Sequence, residues 1–250
     1  MLSASNAKVK LLRRLAHQRA VRDSEKLFVV EGPKLVEQAL DGGWIEAMFA
    51  SPAHAPRYSG AHVLADDLLD RVLDTVTSQG VAAIAKQRTV SLDDVPLDGP
   101  ILVLAGVSDP GNAGTLLRIA EGVGAAAVLF SAGGVDPFSP KCVRSSAGSI
   151  FRVPVVSGGV LVETLEQLGA RGVRRVGTSA GAGEPYHQAD LTGPIALVLG
   201  NEAHGLAPEA EPLVDGFVHI PMVGRTESLN VAMAGSVILF ECLRQRTNQP

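Results

Sequence analysis

Five continuous apolar runs of strand length constrain this chain more than any other feature. Ile101 to Ala105, Ala126 to Phe130, Val173 to Thr178, Ile195 to Leu199 and Phe217 to Ile220 show no in-and-out alternation. Each is therefore expected to be a strand covered on both faces. Helical stretches near Asn112 to Val123, Pro140 to Ala147 and Leu161 to Leu168 separate them. Strand and helix in alternation predict a Rossmann-like parallel sheet, the α/β class. With 46% hydrophobic and only 4% aromatic residues, the core must be built from Ala, Val, Leu and Ile, and disorder is excluded as the main theme.

The first part of the chain has a finer grain. Leu27 to Val30, Ile45 to Ala50, His62 to Leu64 and Val81 to Ala85 are short apolar runs, with helices expected at Pro33 to Leu40 and Asp67 to Val76. This is a smaller α/β unit. Lys86 to Pro100 loses periodicity and contains Pro96, Gly99 and Pro100, which is linker chemistry. Two domains follow, residues 1–98 and 99–250. Residues 1–26 hold seven Lys/Arg against two Asp/Glu although the whole chain carries a net −4. On a helix, Lys10, Arg13, Arg14 and His17 share one face, while Leu11, Leu12 and Leu15 share the other. Such a basic face serves water, a phosphate backbone or anionic lipid.

Several functional classes lack a carrier. The longest apolar stretch, Leu229 to Leu243, is broken by Asn230 and Glu241 and falls short of the roughly 18 residues a membrane span needs. No apolar block follows the basic N-terminus, so a secretory signal is not expected and a cytoplasmic address is. Cys142 and Cys242 belong to no metal-ligand spacing and read as buried thiols; no metal is expected, and His204 and His219 read as structural. Gly122, Gly124 and Ala127 spell a dinucleotide fingerprint, but they close a helix instead of opening one, so they are expected to end the helix after Glu121. No GxSxG elbow, P-loop or HExxH is present.

Three other segments are more specific. Ser108 to Gly114 follows the first of the five runs; Asp109-Pro110-Gly111 makes a turn, Asn112 is a natural N-cap, and Arg118 lies opposite the stripe of Leu116, Ile119, Ala120 and Val123. Leu197 to Leu206 is a buried strand ending abruptly in the glycine-bounded loop Gly200 to Gly205, where a ligand can approach the backbone. Ile220-Pro221-Met222 leads through Glu227 to Ala232 into a helix reaching about Arg244. That helix is apolar nearly all round, which fits either a homodimer interface or burial within one subunit.

Taken in order, DPGNAGTLLR, LVLGNEAHGL and IPMVGRTESLNVAMA closely resemble the three motifs of the SpoU/TrmH family, within the SPOUT superfamily of RNA methyltransferases. The resemblance spans about residues 101–246. The first ninety or so residues look like the small substrate-binding domain many members carry, with Val29-Glu31-Gly32 as its most recognisable string. The resemblance implies a trefoil-knotted Rossmann-like domain behind a smaller RNA-binding domain, S-adenosylmethionine as methyl donor, and 2′-O-methylation of a ribose in RNA. Ribosomal RNA is the expected substrate, in a housekeeping or thiostrepton-resistance type of role.

Carried onto this chain, the family's active-site positions are Asn112, Arg118, Glu202, Ser228 and Asn230. Its cofactor loops fall at Thr178, Ser179 and Ala180, then at Leu199, Gly200, Asn201 and Glu202 with Gly205. They continue at Ile220, Pro221 and Met222 and close at Ser228, Leu229 and Asn230 with Ala232. RNA contacts are expected from Lys10, Arg13 and Arg14, and from Lys141, Arg144, Ser145 and Arg152. The last helix is expected to join two copies. Guanidinium deprotonates only above about pH 12, so Arg118 is expected to hold a phosphate and stabilise developing oxyanion charge instead of acting as a base. Competing readings are a tRNA 2′-O-methyltransferase, a non-catalytic RNA-binding assembly factor, and a Rossmann enzyme acting on a small metabolite.

Overall fold

A computed structural model of the chain describes residues 1–73, 78–226 and 228–248. The described chain forms two compact units, Met1–Arg88 with Phe138–Phe151, and Thr89–Pro137 with Arg152–Pro250.

The first unit runs α1 (Ala7–His17), α2 (Arg19–Glu25), β1 (Leu27–Glu31), α3 (Pro33–Asp41), β2 (Ile45–Ala50), β3 (His62–Val63), α4 (Asp66–Leu73) and β4 (Val81–Lys86). Its sheet has the order β1-β4-β2-β3, with β4 antiparallel to both neighbours and β3 parallel to β2. Asn6 caps α1 by accepting from the Lys8 N–H, and Val9, Leu12 and Leu15 bury the apolar face against Phe49, Leu69 and Ile84. Leu11 is half-buried, and Lys10, Arg13, Arg14 and His17 stay exposed, as the amphipathic pattern requires. The helix expected to reach Val76 is described to Leu73; residues 74–77 lie outside the described residues.

The second unit begins with β5 (Ile101–Leu104), α5 (Pro110–Gly122) and β6 (Ala127–Ser131). The stretch that carries α6 (Pro140–Ser145) belongs to the first unit. The second unit resumes with β7 (Val155–Gly159), α7 (Leu161–Ala170), β8 (Arg174–Thr178), β9 (Glu184–Pro185), β10 (Ile195–Leu199), β11 (Gly216–His219) and α8 (Val231–Thr247). Seven strands in the order β7-β6-β5-β10-β8-β11-β9 pair in parallel throughout. Every residue of β5 and β10 is buried, which accounts for the unbroken apolar runs. The chain leaves β5 towards β6 and β7 on one side, while β10 and β8 occupy the other. That reversal makes the carboxyl ends of β5 and β10 the place where an open α/β sheet takes its ligand.

Four sequence expectations change. A single cut near residue 98 does not describe the units, because Phe28 packs on Phe138 (ring centroids 5.0 Å apart) and on Phe151 (6.4 Å), and Trp44 packs on Phe151 (5.4 Å). The expected linker is partly core: Leu92 and Val95 are buried in the second unit, and Arg171 donates to both of their carbonyls. Strands β7 and β9, unanticipated, lie at the two sheet edges. The N-cap of α5 is Asp109, not Asn112; Pro110 takes the first helical position, where a missing N–H costs nothing, and the Asp109 carboxylate accepts from the Asn112 N–H at 2.9 Å.

Candidate functional site

With the cap supplied by Asp109, the Asn112 side chain is free for another use. Its Nδ2 donates to Glu202 Oε1 at 3.0 Å, and its Oδ1 accepts from Asn230 Nδ2 at 3.0 Å. Asn230 in turn caps α8, its Oδ1 accepting from the Ala232 and Met233 N–H groups at 2.9 and 3.4 Å. Glu202 also accepts from the Ser108 N–H and hydroxyl and from the Asp109 N–H, at 3.1, 2.9 and 3.2 Å. A carboxylate only accepts, so its charge dictates which way the Asn112 amide faces, and Asn112 then dictates Asn230. One charge thereby sets the geometry where the ends of β5 and β10 meet the first turns of α5 and α8.

Burial would raise the Glu202 carboxyl, but the hydrogen bonds from Asn112 and from the backbone N–H groups of Glu202, Ser108 and Asp109 outweigh it and hold it at about 2. Its ordinary value is 4.5. The stabilisation is therefore complete above about pH 4.5 and is lost as pH falls towards 2. Acidification across that window is expected to destabilise the wild type more than Glu202→Gln; denaturant midpoints falling in parallel would contradict this.

The loop after β10 is built on Asn201. Its N–H donates to the Gly205 carbonyl at 2.8 Å, and the Gly205 N–H returns the bond at 2.9 Å. Its side chain accepts from the Ala203 and His204 N–H groups and donates to the Gly106 carbonyl at 2.9 Å, tying this loop to the one after β5. After β8, the Ser179 hydroxyl accepts from the Gly181 and Ala182 N–H groups and closes a second tight turn.

These loops enclose a cavity of about 710 Å³ at the carboxyl ends of β8, β10 and β11. That is a cofactor-sized volume. Of the expected cofactor residues, Thr178, Ser179, Ala180, Gly200, Asn201, Glu202, Gly205, Ile220, Met222, Ser228, Leu229 and Asn230 line it. Leu199, Pro221 and Ala232 do not; Leu199 instead faces Gly235 of α8, where a Cβ would come within 2.8 Å of it. His204, read from sequence as structural, also lines the cavity, as do Leu206, Glu211, Phe217 and Ile238, none of which was assigned to the cofactor from sequence. Val231, Ala234 and Ile238 fall on one helical face, so the spacing beyond Asn230 was the available signal.

The lining has a chemical bias. Its ionisable residues are Glu202, Glu211 and His204, and no Lys or Arg lines it among the described residues. Such a wall is poorly suited to the phosphates of a dinucleotide and well suited to a ligand bearing a cationic centre. Apolar Leu206, Ile220, Leu229 and Ile238 offer surfaces for a flat heterocycle, and Gly200 lets the backbone approach closely.

The remaining expected residues are elsewhere. Arg118 is exposed on α5, outside the cavity lining, and its side chain makes no hydrogen bond or ion pair to another described residue. It sits six residues, about 9 Å of helical rise, beyond Asn112. Lys10, Arg13 and Arg14 line a surface cavity of about 420 Å³ on α1 together with His17 and Gln18. Lys141 is exposed and Ser145 half-buried. Arg144 pairs with Glu31 at 3.1 Å, and Arg152 forms a two-point pair with Glu121, one bond at 2.9 Å. Glu227 lies outside the described residues. Cys142 and Cys242 are buried free thiols, burial pushing Cys242 up to about 12. His219 Nδ1 is buried without a hydrogen-bond partner, and no described helix is long and apolar enough to cross a membrane.

Residues 99–240 match the model of the SpoU rRNA Methylase family, and residues 6–83 match an MRM3-like substrate binding domain. A 23S rRNA guanosine 2′-O-methyltransferase of Bacillus subtilis (strain 168), RlmP, is 32% identical over 244 residues, covering 95% of this chain and 96% of that one. A 23S rRNA guanosine 2′-O-methyltransferase of Ralstonia nicotianae, RlmB, is 38% identical over 191 residues, 74% of this chain and 77% of that one. The crystal structure of the SpoU methyltransferase AviRb from Streptomyces viridochromogenes in complex with the cofactor AdoMet superposes with a TM-score of 0.85 at 29% identity, covering 98% of this chain and 100% of that one.

Proposed function

This chain belongs to the SpoU rRNA methylase family, and from that premise we propose that it transfers a methyl group from S-adenosylmethionine to a ribose 2′-hydroxyl of ribosomal RNA. The observation that carries the reading is the cavity itself: cofactor-sized, free of Lys and Arg among the described residues, and bordered by the relay of Glu202, Asn112 and Asn230. When bound there, S-adenosylmethionine supplies a methyl group already activated on a sulfonium.

The protein's own task is positioning. The loops after β8, β10 and β11 hold the cofactor, with Leu206, Ile220 and Leu229 as apolar walls and the tight turns of Ser179 and Asn201 fixing the backbone. Glu202 spends its lone pairs on Ser108, Asp109 and Asn112, so it acts as the fixed point of the site and not as a proton acceptor. Asn112 and Asn230 carry that order to α5 and α8. Arg118, on the same helix as Asn112, is a permanent cation facing water; it holds the RNA phosphate next to the target and stabilises charge developing on the 2′-oxygen, whose proton leaves to phosphate or water. Arg118→Lys keeps the charge but loses the planar fork, and is expected to lower kcat at least tenfold with RNA still bound. Near wild-type turnover would remove Arg118 from this role.

The first unit serves as the RNA-binding unit, with the basic face of α1 meeting phosphates and cytoplasmic ribosomal RNA as its target. The resemblance implies a trefoil knot whose threaded C-terminal region forms the cofactor site. Met233, Val237 and Phe240, spaced to share one face of α8, are exposed at 59%, 36% and 50%. That apolar face joins two copies of the chain. Phe240→Glu is expected to shift the protein to monomer in analytical ultracentrifugation; an unchanged sedimentation coefficient would place the interface elsewhere.

A further inference from the structure

Glu31, the last residue of edge strand β1, is 7% exposed. A carboxylate that far from water needs a partner, and Arg144 Nη1 of α6 supplies it at 3.1 Å. Burial pushes the Glu31 carboxyl up, and the Arg144 guanidinium opposes that shift. The Arg144 side chain remains 43% exposed, and its Nε and Nη2 donate to no other described residue.

The backbone beside both ends of the pair takes specific conformations. Gly32 follows Glu31 at φ +92, a conformation L side chains rarely adopt, and a Cβ there would meet the Gln79 side chain at 2.7 Å. On the other side, α6 is capped by buried Ser146, whose hydroxyl donates to the Val143 carbonyl at 2.7 Å, and the chain then turns through Ala147 at φ +50 and Gly148 at φ +99. An apolar pair of the same size would serve stability equally well or better. What the ion pair adds is direction: one side of a planar, five-donor group is anchored and the other is left facing solvent.

We propose that Glu31 is a positioning residue that holds Arg144 as a pre-set fork for a phosphate of the RNA substrate. The inference rests on the reading of this chain as an RNA methyltransferase, and it assigns to Glu31 a role that neither motif spacing nor family resemblance supplied. A two-point guanidinium–phosphate contact needs the fork's orientation as well as its charge. Lysine at position 144 retains the charge for Glu31 but loses the fork.

The test uses the full chain and an rRNA transcript, with steady-state methyl transfer measured at varied RNA, cofactor affinity by calorimetry, and melting temperature. Arg144→Lys is expected to keep the wild-type melting temperature and cofactor affinity, raise the KM for RNA about tenfold and leave kcat within about twofold. Glu31→Gln is expected to raise KM similarly, and the double variant Glu31→Gln/Arg144→Ala to be no worse than Arg144→Ala alone, since Glu31 acts through Arg144. An unmoved RNA KM in Arg144→Lys overturns the proposal. So does a Glu31→Gln effect that adds in full to that of Arg144→Ala. Wild-type protein that transfers no methyl to any RNA overturns the functional reading itself, and is told apart because it fails before any variant is compared.

Discussion

Gly200→Ala is expected to weaken S-adenosylmethionine binding at least a hundredfold, about 2.8 kcal/mol at 1.4 kcal/mol per decade. A Cβ at position 200 would lie 2.3 Å from the Gly205 carbonyl carbon, 2.5 Å from its oxygen and 2.5 Å from the Leu206 nitrogen. All three are backbone atoms, so no rotamer change can relieve the clash. They belong to the turn closed by the paired bonds between Asn201 and Gly205, and opening it displaces cavity wall on both sides of Glu202. Gly181→Ala is the matched control. Position 181 lies in the neighbouring turn and its Cβ would meet nothing within 4 Å, so cofactor affinity is expected to stay within about twofold. Calorimetric titration of both variants decides the matter, and wild-type affinity in Gly200→Ala would mean that this loop does not hold the cofactor.

A second large effect is expected from cutting the chain where its sequence suggests a domain boundary. Residues 1–98 alone lack Phe138 and Phe151, the rings that cover Phe28 and Trp44, and they lack Arg144, the partner of buried Glu31. Loss of each large aromatic from a core costs about 3–5 kcal/mol, and leaving a buried charge unpaired costs about as much again. Whole domains have only about 5–15 kcal/mol to lose. The fragment is therefore expected to show no cooperative melting by near-ultraviolet circular dichroism, whereas a version carrying residues 138–151 joined by a flexible linker regains it. Cooperative melting of 1–98 by itself would show that Phe138–Phe151 is dispensable to the first unit.

These two cases mark what a sequence shows and what it hides. Strands β5 and β10 were legible because burial on both faces leaves an uninterrupted apolar run. Edge strand β7 was not: Val155 is buried but Ser157 and Gly158 are exposed, so its pattern looks like a loop, and β9 has only two residues. Asn112 is an acceptable cap in isolation; Asp109 wins because Pro110 behind it is pre-shaped for the first helical position. The contacts between Phe28 and Phe138 or Phe151 span more than a hundred residues and leave no periodic trace. Most of the cavity was legible through the motif residues, whereas Glu211 and Phe217 enter it only because the parallel strands bring separate loops together.

The site's logic has the same source. Glu202 and Asn230 stand 28 positions apart and Asn112 is 90 positions before Glu202, yet two hydrogen bonds of 3.0 Å order all three around one charge. Under the proposed function these three side chains hold the site's geometry while exposed Arg118 meets the substrate.

Under the proposed function, the cavity in the second unit delivers a methyl group to a ribose oxygen of RNA. Incubating the full chain with methyl-tritiated S-adenosylmethionine and ribosomal RNA, then digesting to nucleosides, tests it directly. Label is expected in 2′-O-methylnucleosides, none when the target ribose is replaced by deoxyribose, and none with Gly200→Ala. Label on a base, or no label in RNA from protein shown to bind the cofactor, would contradict it.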